Sequence, residues 1–234
     1  MVELLYEGKA KQVYKTEKED EYLIHYKDDA TAGNGVKHDK FEGKGVLNNT
    51  ISCIIFDMLE EAGIKTHMIK KLNERDILVK KVDIFPLEVI IRNITTGSFC
   101  RRLGAPEGIV LDEPIFEMSY KNDEYGDPLI NDDHAVALKL ATREELAYIK
   151  ETTLKINELL KEFFLSMNLK LVDFKIEFGK TADGTILLAD EISPDSCRLW
   201  DVDTNQKYDK DVFRQDIGDL IETYKAVLAR MQNK

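Results

Sequence analysis

One stretch of the chain, Leu171–Asp201, constrains the fold most. It reads LVDFKIEFGKTADGTILLADEISPDSCRLWD. Its first part alternates apolar side chains with polar ones, and this period of two predicts a β-strand with one apolar and one charged face. Asp183-Gly184 is a dipeptide that favours a type I′ turn, so a hairpin and a second strand should follow.

This predicted hairpin brings two acids together. If Asp183 and Gly184 form the whole turn, Glu177 pairs with Asp190 and their side chains share a face. Two facing carboxylates repel by some tenths of a kcal/mol (~0.2–1), whereas both would be ligands of a Mg²⁺ ion placed between them. The alternative is a solvated charged face neutralised by nearby lysines, and the spacing alone leaves both interpretations open.

The segment after the second strand is dense in charge. It reads EISPDSCR at 191–198 and adds further acids and the fork-shaped cation of Arg198 just past the strand end. Ligand sites tend to lie at such strand ends, so this segment favours the functional interpretation of the hairpin.

A second hairpin is predicted near the N-terminus, where Leu4–Tyr14 reads as strand, glycine turn and strand. Gly8 allows a close approach of the backbone to a ligand, and alternation places Lys9 and Lys11 on one side. Such a hairpin could hold a polyphosphate through backbone N–H groups and ammonium charge. An ordinary surface hairpin with solvated lysines is the alternative.

The remaining periodicity predicts an α+β fold with an antiparallel N-terminal sheet packed on the first helix. Helices are predicted at Val46–Ala62, from a capping box at Thr142 to about Asn168, and from about Asp211 to Met231. Further strands are predicted at Tyr22–Tyr26, His67–Leu72, Ile77–Phe85, Leu87–Thr95 and Phe116–Tyr120. The composition of Lys27–Gly35, KDDATAGNG, predicts a loop.

Arg92 and the residues after it suggest an anion site. A predicted strand ends in this arginine, and a Thr/Gly/Ser turn containing Ser98 then opens a short helix that should end near Gly104. Helix N-termini bind anions and arginine adds a bidentate partner. A capped helix with a surface salt bridge is the alternative.

Composition excludes several classes of function. The 234-residue chain has a net charge of −11 without a basic tract, which makes a nucleic-acid duplex an unfavourable partner. Cys53, Cys100 and Cys197 are far apart and form no CxxC pair, which fits a reducing cytoplasm better than a disulfide framework. Neither a signal peptide nor a membrane-spanning run is predicted. The acidic loop at 123–134 could supply a metal ligand, but its His134 is expected to be structural.

Six motifs together resemble one family, the SAICAR synthetases. They are GKAKQVY (8–14), TAGNG (31–35), EGKG-x-x-NN (42–49), RN-x-x-x-GS (92–98), DFK-x-EFG (173–179) and DEISPDSCRLWD (190–201). They occur in the family's order over essentially the whole chain, and the last two are the most specific.

The resemblance implies an ATP-dependent ligase of purine biosynthesis. In that reaction CAIR, 5-amino-4-carboxyimidazole ribonucleotide, condenses with L-aspartate to give SAICAR, ADP and phosphate, through an acyl phosphate. It also implies a small antiparallel-sheet lobe (1–82) over a larger lobe similar to ATP-grasp and kinase folds (83–234). Members of the family commonly form homodimers, and a cytoplasmic location is expected.

The resemblance also implies site residues. ATP would contact Gly8, Lys9, Ala10, Lys11, Val13, Val79, Lys80, Glu177 and Asp190, and the last two would hold Mg²⁺. CAIR and aspartate would contact Arg92, Ser98, Lys175, Asp195, Arg198 and Arg214. The catalytic candidates are Lys11, Asp173, Lys175 and Arg198, with Asp173 as the acceptor of the amine proton. Some relatives carry an acid where this chain has Asn34, which leaves the role of that loop open.

Two other functions compete with this one. A glycine hairpin with acidic metal strands would also serve a kinase, but the chain has no HRDxxxxN-like loop, and Asp173-Phe174 is followed by Lys175 instead of the glycine of DFG. A non-catalytic nucleotide sensor would bind ATP without turnover.

Overall fold

The structure, a computed structural model, describes residues 3–32 and 37–233 and has α+β architecture. The first half of the described chain contains β1 (Leu4–Glu7), β2 (Lys11–Lys15), β3 (Glu21–Tyr26), β4 (Asp29–Ala32), β5 (Lys37–Lys40), α1 (Lys44–Glu61), β6 (Met68–Lys71), β7 (Asp76–Lys80), β8 (Asp83–Ile84), β9 (Leu87–Ile94) and α2 (Gly97–Leu103). The second half contains β10 (Val110–Tyr120), a 3-10 helix (Asp123–Tyr125), β11 (Leu129–Ile130), α3 (Asp132–Ala137), α4 (Arg143–Leu165), β12 (Leu169–Lys180), β13 (Ile186–Ala189), β14 (Cys197–Asp201), α5 (Asp211–Arg214) and α6 (Leu220–Gln232).

The N-terminal sheet is antiparallel and has the order β1-β2-β3-β7-β6. Helix α1 packs on β3 and β6, and its other side contacts α6 from the C-terminal end of the chain. The predicted glycine hairpin is therefore confirmed as β1 and β2. It forms one edge of this sheet.

The second sheet is centred on β12, which pairs with β9, β13, β14 and β8. Helix α4 packs against β12, and both contribute to one apolar core. Its capping box at Thr142 and Glu145 is present as predicted. The charged face of β12 is buried as well, since Asp173 and Glu177 are only 4% and 3% exposed. The charged face is therefore not solvated, but the other part of that alternative holds, because lysines pair with both Glu177 and Asp190.

The predicted register of the β12–β13 hairpin is wrong by one residue. Glu177 pairs with Ala189 instead of Asp190. The Thr181 N–H donates to the Thr185 carbonyl, so three residues form the turn, and of these only Gly184 has a positive φ. A three-residue loop with a left-handed last residue is the next most common hairpin after the two-residue one. Asp190 follows β13 with a left-handed φ of 62°.

Three other predicted elements differ from the structure. The single strand predicted at Ile77–Phe85 is divided into β7, in the N-terminal sheet, and β8, which pairs with β12. The predicted loop Lys27–Gly35 contains β4, which pairs with β5; Gly33-Asn34-Gly35 lies outside the described residues. The predicted last helix is divided into α5 and α6, because Asp216 has a left-handed φ of 54° and Asp219 starts a new helix by accepting the Glu222 N–H. Within 3–32 and 37–233, no helix is both long and apolar enough to span a membrane.

Candidate active site

A cavity of about 350 Å³ lies beside the charged face of β12. Its lining among the described residues is Lys9, Thr31, Ala32, Ile90, Arg92, Ser98, Asp173, Phe174, Lys175, Asp195, Ser196, Cys197, Arg198, Lys210 and Arg214. All six of the substrate-binding residues that the family resemblance implies are in this set. The fold therefore brings together residues that are more than a hundred positions apart in the sequence.

Arg92 is buried at the wall of the cavity. Its Nε donates to Glu117 Oε2 at 2.7 Å, one Nη donates to Asp173 Oδ2 at 3.0 Å and the other to Ser98 Oγ at 3.1 Å. Strand β9 runs two residues past Arg92, and α2 begins at Gly97 and ends before Gly104. The predicted pairing of this arginine with the start of a short helix is thus present, through the hydroxyl of Ser98.

Asp173 is the point where two arginines meet. Its Oδ2 accepts from Arg92 and, at 2.8 Å, from Arg198. Arg198 also donates from Nε to Asp211 Oδ2 at 2.9 Å, and Asp211 Oδ1 accepts from Arg214 at 2.6 Å. A carboxylate oxygen that already holds two guanidinium groups is suited to positioning them, and less suited to accepting a proton from a substrate.

Asp195 lies in a buried cluster that the sequence motifs do not reveal. Its two oxygens accept hydrogen bonds from Lys44 and from the hydroxyl of Tyr224, each at 2.5 Å, and the Lys210 ammonium lies 3.7 Å away. Burial opposes ionisation of Asp195, but the charges of Lys44 and Lys210 lower its pKa. Besides Asp195 itself, the motifs point only to Lys44, which lies in EGKG. Lys210 precedes α5 and Tyr224 lies on α6, both outside the motifs.

Glu177 and Asp190 are each paired with a lysine. Lys121 Nζ lies 2.6 Å from Glu177 Oε2, and Lys11 donates to Asp190 Oδ1. Burial and then the negative charge of Asp190 raise the pKa of Glu177, so each carboxylate opposes ionisation of the other. Lys175 donates to Glu88 at 2.5 Å and lies 3.9 Å from Glu177 Oε1.

Glu177 and Asp190 offer carboxylate oxygens of the kind that Mg²⁺ uses, and each of them already accepts from a lysine. Glu191 Oε2 is buried and accepts no hydrogen bond from the described residues; its nearest cation is Lys11, at 3.7 Å. No group of three or more His, Cys, Asp or Glu side chains among residues 3–32 and 37–233 is arranged to hold a metal. Mg²⁺ does not need such a cage, because it commonly uses one or two carboxylates together with water and phosphate oxygens.

The glycine hairpin and the acidic loop meet across the same region. Gly8 and Ala10 belong to the turn, where the Gly8 N–H donates to the Lys11 carbonyl at 2.8 Å. Lys9 Nζ lies 2.8 Å from Asp123 Oδ1 in the acidic loop. His134 completes the capping box of α3, which is a structural role, as expected.

The residues expected at the adenine lie on β2 and β7 of the N-terminal sheet, with β3 between them. Val79 is buried in β7, and Val13 is half-buried in β2 and packs on the core. The Lys80 N–H donates to the His67 carbonyl at 2.7 Å, so this amide is engaged. Of the Lys80 peptide groups, its carbonyl is the one that a base could use.

Comparison with known proteins identifies the relatives of the chain. The family model described as SAICAR synthetase matches residues 4–231. The phosphoribosylaminoimidazole-succinocarboxamide synthase of Finegoldia magna is 67% identical over 231 residues, which cover 99% of this chain and 100% of that protein.

Solved structures give the same result. The chain is similar to the phosphoribosylaminoimidazole-succinocarboxamide synthase of Ehrlichia chaffeensis, with a TM-score of 0.96, 45% identity and coverage of 98% of each chain. It is also similar to a SAICAR synthetase described in complex with ADP, with a TM-score of 0.95, 49% identity and coverage of 100% of this chain and 98% of that one.

Proposed function

The chain belongs to the SAICAR synthetase family, whose members are ligases of purine biosynthesis, and we propose that it uses ATP to join CAIR to L-aspartate. The products would be SAICAR, ADP and phosphate. The ADP complex of a relative that is 49% identical over the whole chain supports the choice of nucleotide.

One observation carries this proposal: Lys175 joins the two halves of the site. Its side chain lines the arginine-rich cavity, and its ammonium lies 3.9 Å from Glu177 in the acid pair. A carboxylate bound in the cavity would therefore lie next to the place where Glu177 and Asp190 would hold metal and phosphate. Asp173, Lys175 and Glu177 reach this junction because they alternate along one face of β12.

The cavity suits an anionic nucleotide. Arg92, Arg198, Arg214 and Ser98 lie along one wall, and guanidinium groups bind phosphate or carboxylate in bidentate fashion. Six of the described side chains that line the cavity are cationic and only Asp173 and Asp195 are acidic, so the lining has an excess of positive charge, which favours entry of an anion.

ATP would bind between the glycine hairpin and the acid pair. The backbone N–H groups of Lys9 and Ala10 and the ammonium groups of Lys9 and Lys11 would face the phosphates, with Gly8 allowing the close approach of the turn. The base would meet Val13, Val79 and the Lys80 carbonyl. Glu177 and Asp190 would hold Mg²⁺, which when bound neutralises charge on phosphate oxygens. Lys11, which pairs with Asp190, supplies positive charge at the same place.

The reaction would have two steps. In the first, a CAIR carboxylate oxygen attacks the γ-phosphorus and ADP leaves, which gives an acyl phosphate. In the second, the neutral aspartate amine attacks the acyl carbon, the C–N bond forms, the nitrogen releases a proton to water, and inorganic phosphate leaves with the carboxylate oxygen. Lys11, Lys175 and Arg198 would stabilise the charge that develops, as phosphoryl transfer mainly requires positioning and charge neutralisation. We assign Asp173 to holding Arg92 and Arg198, in place of the proton transfer expected from the resemblance.

Isotope transfer tests both the reaction and the intermediate. The enzyme is incubated with ATP, Mg²⁺, L-aspartate and CAIR labelled with ¹⁸O in both carboxylate oxygens. The ¹⁸O content of SAICAR and of phosphate is then measured by mass spectrometry. We expect SAICAR that retains one ¹⁸O and phosphate that carries one ¹⁸O. Unlabelled phosphate would contradict the acyl phosphate, and absence of SAICAR would contradict the ligase function.

We also propose that the protein works in the cytoplasm as a homodimer. The three cysteines are free thiols in the structure, which suits a reducing compartment. The dimer rests on the resemblance to the family alone, and light scattering at assay concentration tests it.

A further inference from the structure

Arginines and acids alternate in one continuous row along the wall of the cavity. The row, which we name the arginine–acid row, consists in spatial order of Arg102, Glu117, Arg92, Asp173, Arg198, Asp211 and Arg214. The successive contacts are 2.8, 2.7, 3.0, 2.8, 2.9 and 2.6 Å. Because each acid holds an arginine on either side, no guanidinium in this row is positioned independently.

Only part of the row faces the cavity. Arg92, Asp173, Arg198 and Arg214 line it, whereas Glu117 and Asp211 contact those arginines from behind the wall. Glu117 lies on β10 and accepts from Arg92 on β9 and from Arg102 on α2. It therefore links β9 to the helix that carries Ser98. Asp211 opens α5 and ties β14 to the end of that helix.

The row leaves N–H donors for a ligand. Each guanidinium has five N–H donors. Arg92 uses three of them on Glu117, Asp173 and Ser98, and Arg198 uses two on Asp173 and Asp211, as judged from the described residues. A guanidinium held at Nε and at one Nη cannot rotate freely. Its remaining donors therefore point in one direction before the ligand arrives, which lowers the entropic cost of binding.

Both flanking acids are charged at neutral pH. Burial alone would raise the pKa of Glu117, but its hydrogen bonds to Arg102 and Arg92 lower it. Burial also opposes ionisation of Asp211, and the charges of Arg198 and Arg214 lower its pKa. The ion pairs that Glu117 and Asp211 form with the arginines are therefore present at the pH of an assay.

We propose that Glu117 and Asp211 are positioning residues, which hold the guanidinium groups of Arg92, Arg198 and Arg214 in the geometry that binds the anionic nucleotide substrate. This inference rests on the proposed function, since it takes CAIR as the ligand of the cavity. It predicts that both acids act on substrate affinity through arginines and leave nucleotide binding and chemistry nearly unchanged.

Glu117 gives the sharper test because its side chain is 12% exposed and its outer partner Arg102 is 34% exposed. The variants are Glu117→Gln, Arg102→Gln, the double variant and Asp211→Asn. The control is Asp201→Asn, which removes a comparably buried acid from Arg230, away from the cavity lining. For each one, KM for CAIR, kcat, the melting temperature and the Kd of ADP with Mg²⁺ are measured.

We expect Glu117→Gln and Asp211→Asn to raise KM for CAIR about tenfold, with kcat and the Kd of ADP within twofold of the unaltered enzyme. Arg102→Gln should raise KM about threefold, and the double variant should be no worse than Glu117→Gln alone, since both act through Arg92. Asp201→Asn should lower the melting temperature without a change in KM.

The outcomes separate this inference from the proposed function. An unaltered enzyme that makes no SAICAR from ATP, CAIR and aspartate overturns the proposed function, and this inference with it. An active enzyme whose Glu117→Gln variant keeps KM within twofold overturns the positioning role alone. If Glu117→Gln fails to fold, Arg102→Gln decides: an unchanged KM in that variant overturns the role of Glu117.

Discussion

A Cβ atom on Gly97 would lie 2.6 Å from Nη2 of Arg198, far inside van der Waals contact. Gly97 is the first residue of α2 and has a left-handed φ of 56°. Because Gly97 has no side chain, it can adopt the left-handed conformation that starts the helix, and it leaves space for the Arg198 guanidinium. This glycine belongs to the GS part of the RN-x-x-x-GS motif, so the motif combines an anion contact with a packing requirement.

We predict that Gly97→Ala raises KM for CAIR at least fivefold, because the new methyl group displaces Arg198. Gly104→Ala is a matched control: Gly104 also has a positive φ, but nothing lies within 4 Å of its Cβ position. Both variants should lose about 1–2 kcal/mol of unfolding free energy to backbone strain, measured by urea titration. Equal KM values in the two variants would show that the contact with Arg198 is unimportant.

Arg198→Lys should weaken CAIR binding more than ATP binding. Arg198 donates to Asp173 and Asp211 at the same time, and a single ammonium cannot reproduce that fork. Separate titrations of KM for the two substrates check this prediction, and equal weakening of both substrates would count against it.

Glu177→Gln and Asp190→Asn should each lower kcat at least about tenfold, a loss of ~1.4 kcal/mol of transition-state stabilisation. Each change removes a carboxylate that would hold Mg²⁺ and leaves a lysine without its partner. Rates are measured over a range of Mg²⁺ concentrations. Glu145→Gln, which removes the partner of Lys180, the last residue of β12, serves as the control. Unchanged rates at saturating Mg²⁺ would remove both acids from the metal site.

Asp209→Asn should change the pH dependence of stability. Asp209 is fully buried, and burial together with the charge of Asp211 raises its pKa to about 7. The pKa of Asp209 is higher in the folded state than in the unfolded state. Between about pH 4 and about pH 7 the unfolded state therefore loses the proton first, and the free energy of unfolding falls as pH rises. The variant should therefore gain unfolding free energy relative to the unaltered protein over this range, by at most about 1.4 kcal/mol per pH unit. Urea titrations at several pH values measure this difference, and a constant difference would contradict the assigned pKa.

The alternation in β12 was enough to predict its strand and the side of the strand that carries charge. It was not enough to predict the pairing of Glu177, because that depends on whether the turn has two or three residues. Sequence spacing favoured the two-residue turn at Asp183-Gly184. The structure has the three-residue turn, closed by the hydrogen bond from the Thr181 N–H to the Thr185 carbonyl, and the residue types do not predict this bond.

In the candidate site, too, the sequence predicts some of the residues and not others. Residues inside the motifs, such as Arg92 and Arg198, could be assigned to a substrate site from the sequence. Glu117, Asp211 and Lys210 could not, because their partners lie on other elements and only the tertiary structure brings them into contact. Single acids and lysines are common on protein surfaces, so an isolated one in the sequence does not indicate a functional site.

The most direct test of the proposed ligase function is a phosphate-release assay in which each substrate is omitted in turn. With ATP and Mg²⁺ present throughout, we predict release only when CAIR and L-aspartate are both added, with one SAICAR formed per phosphate. Turnover with an unrelated hydroxyl acceptor would indicate a kinase, and ADP or ATP binding without any turnover would indicate a nucleotide sensor. Either result would contradict an ATP-dependent ligation of CAIR to aspartate.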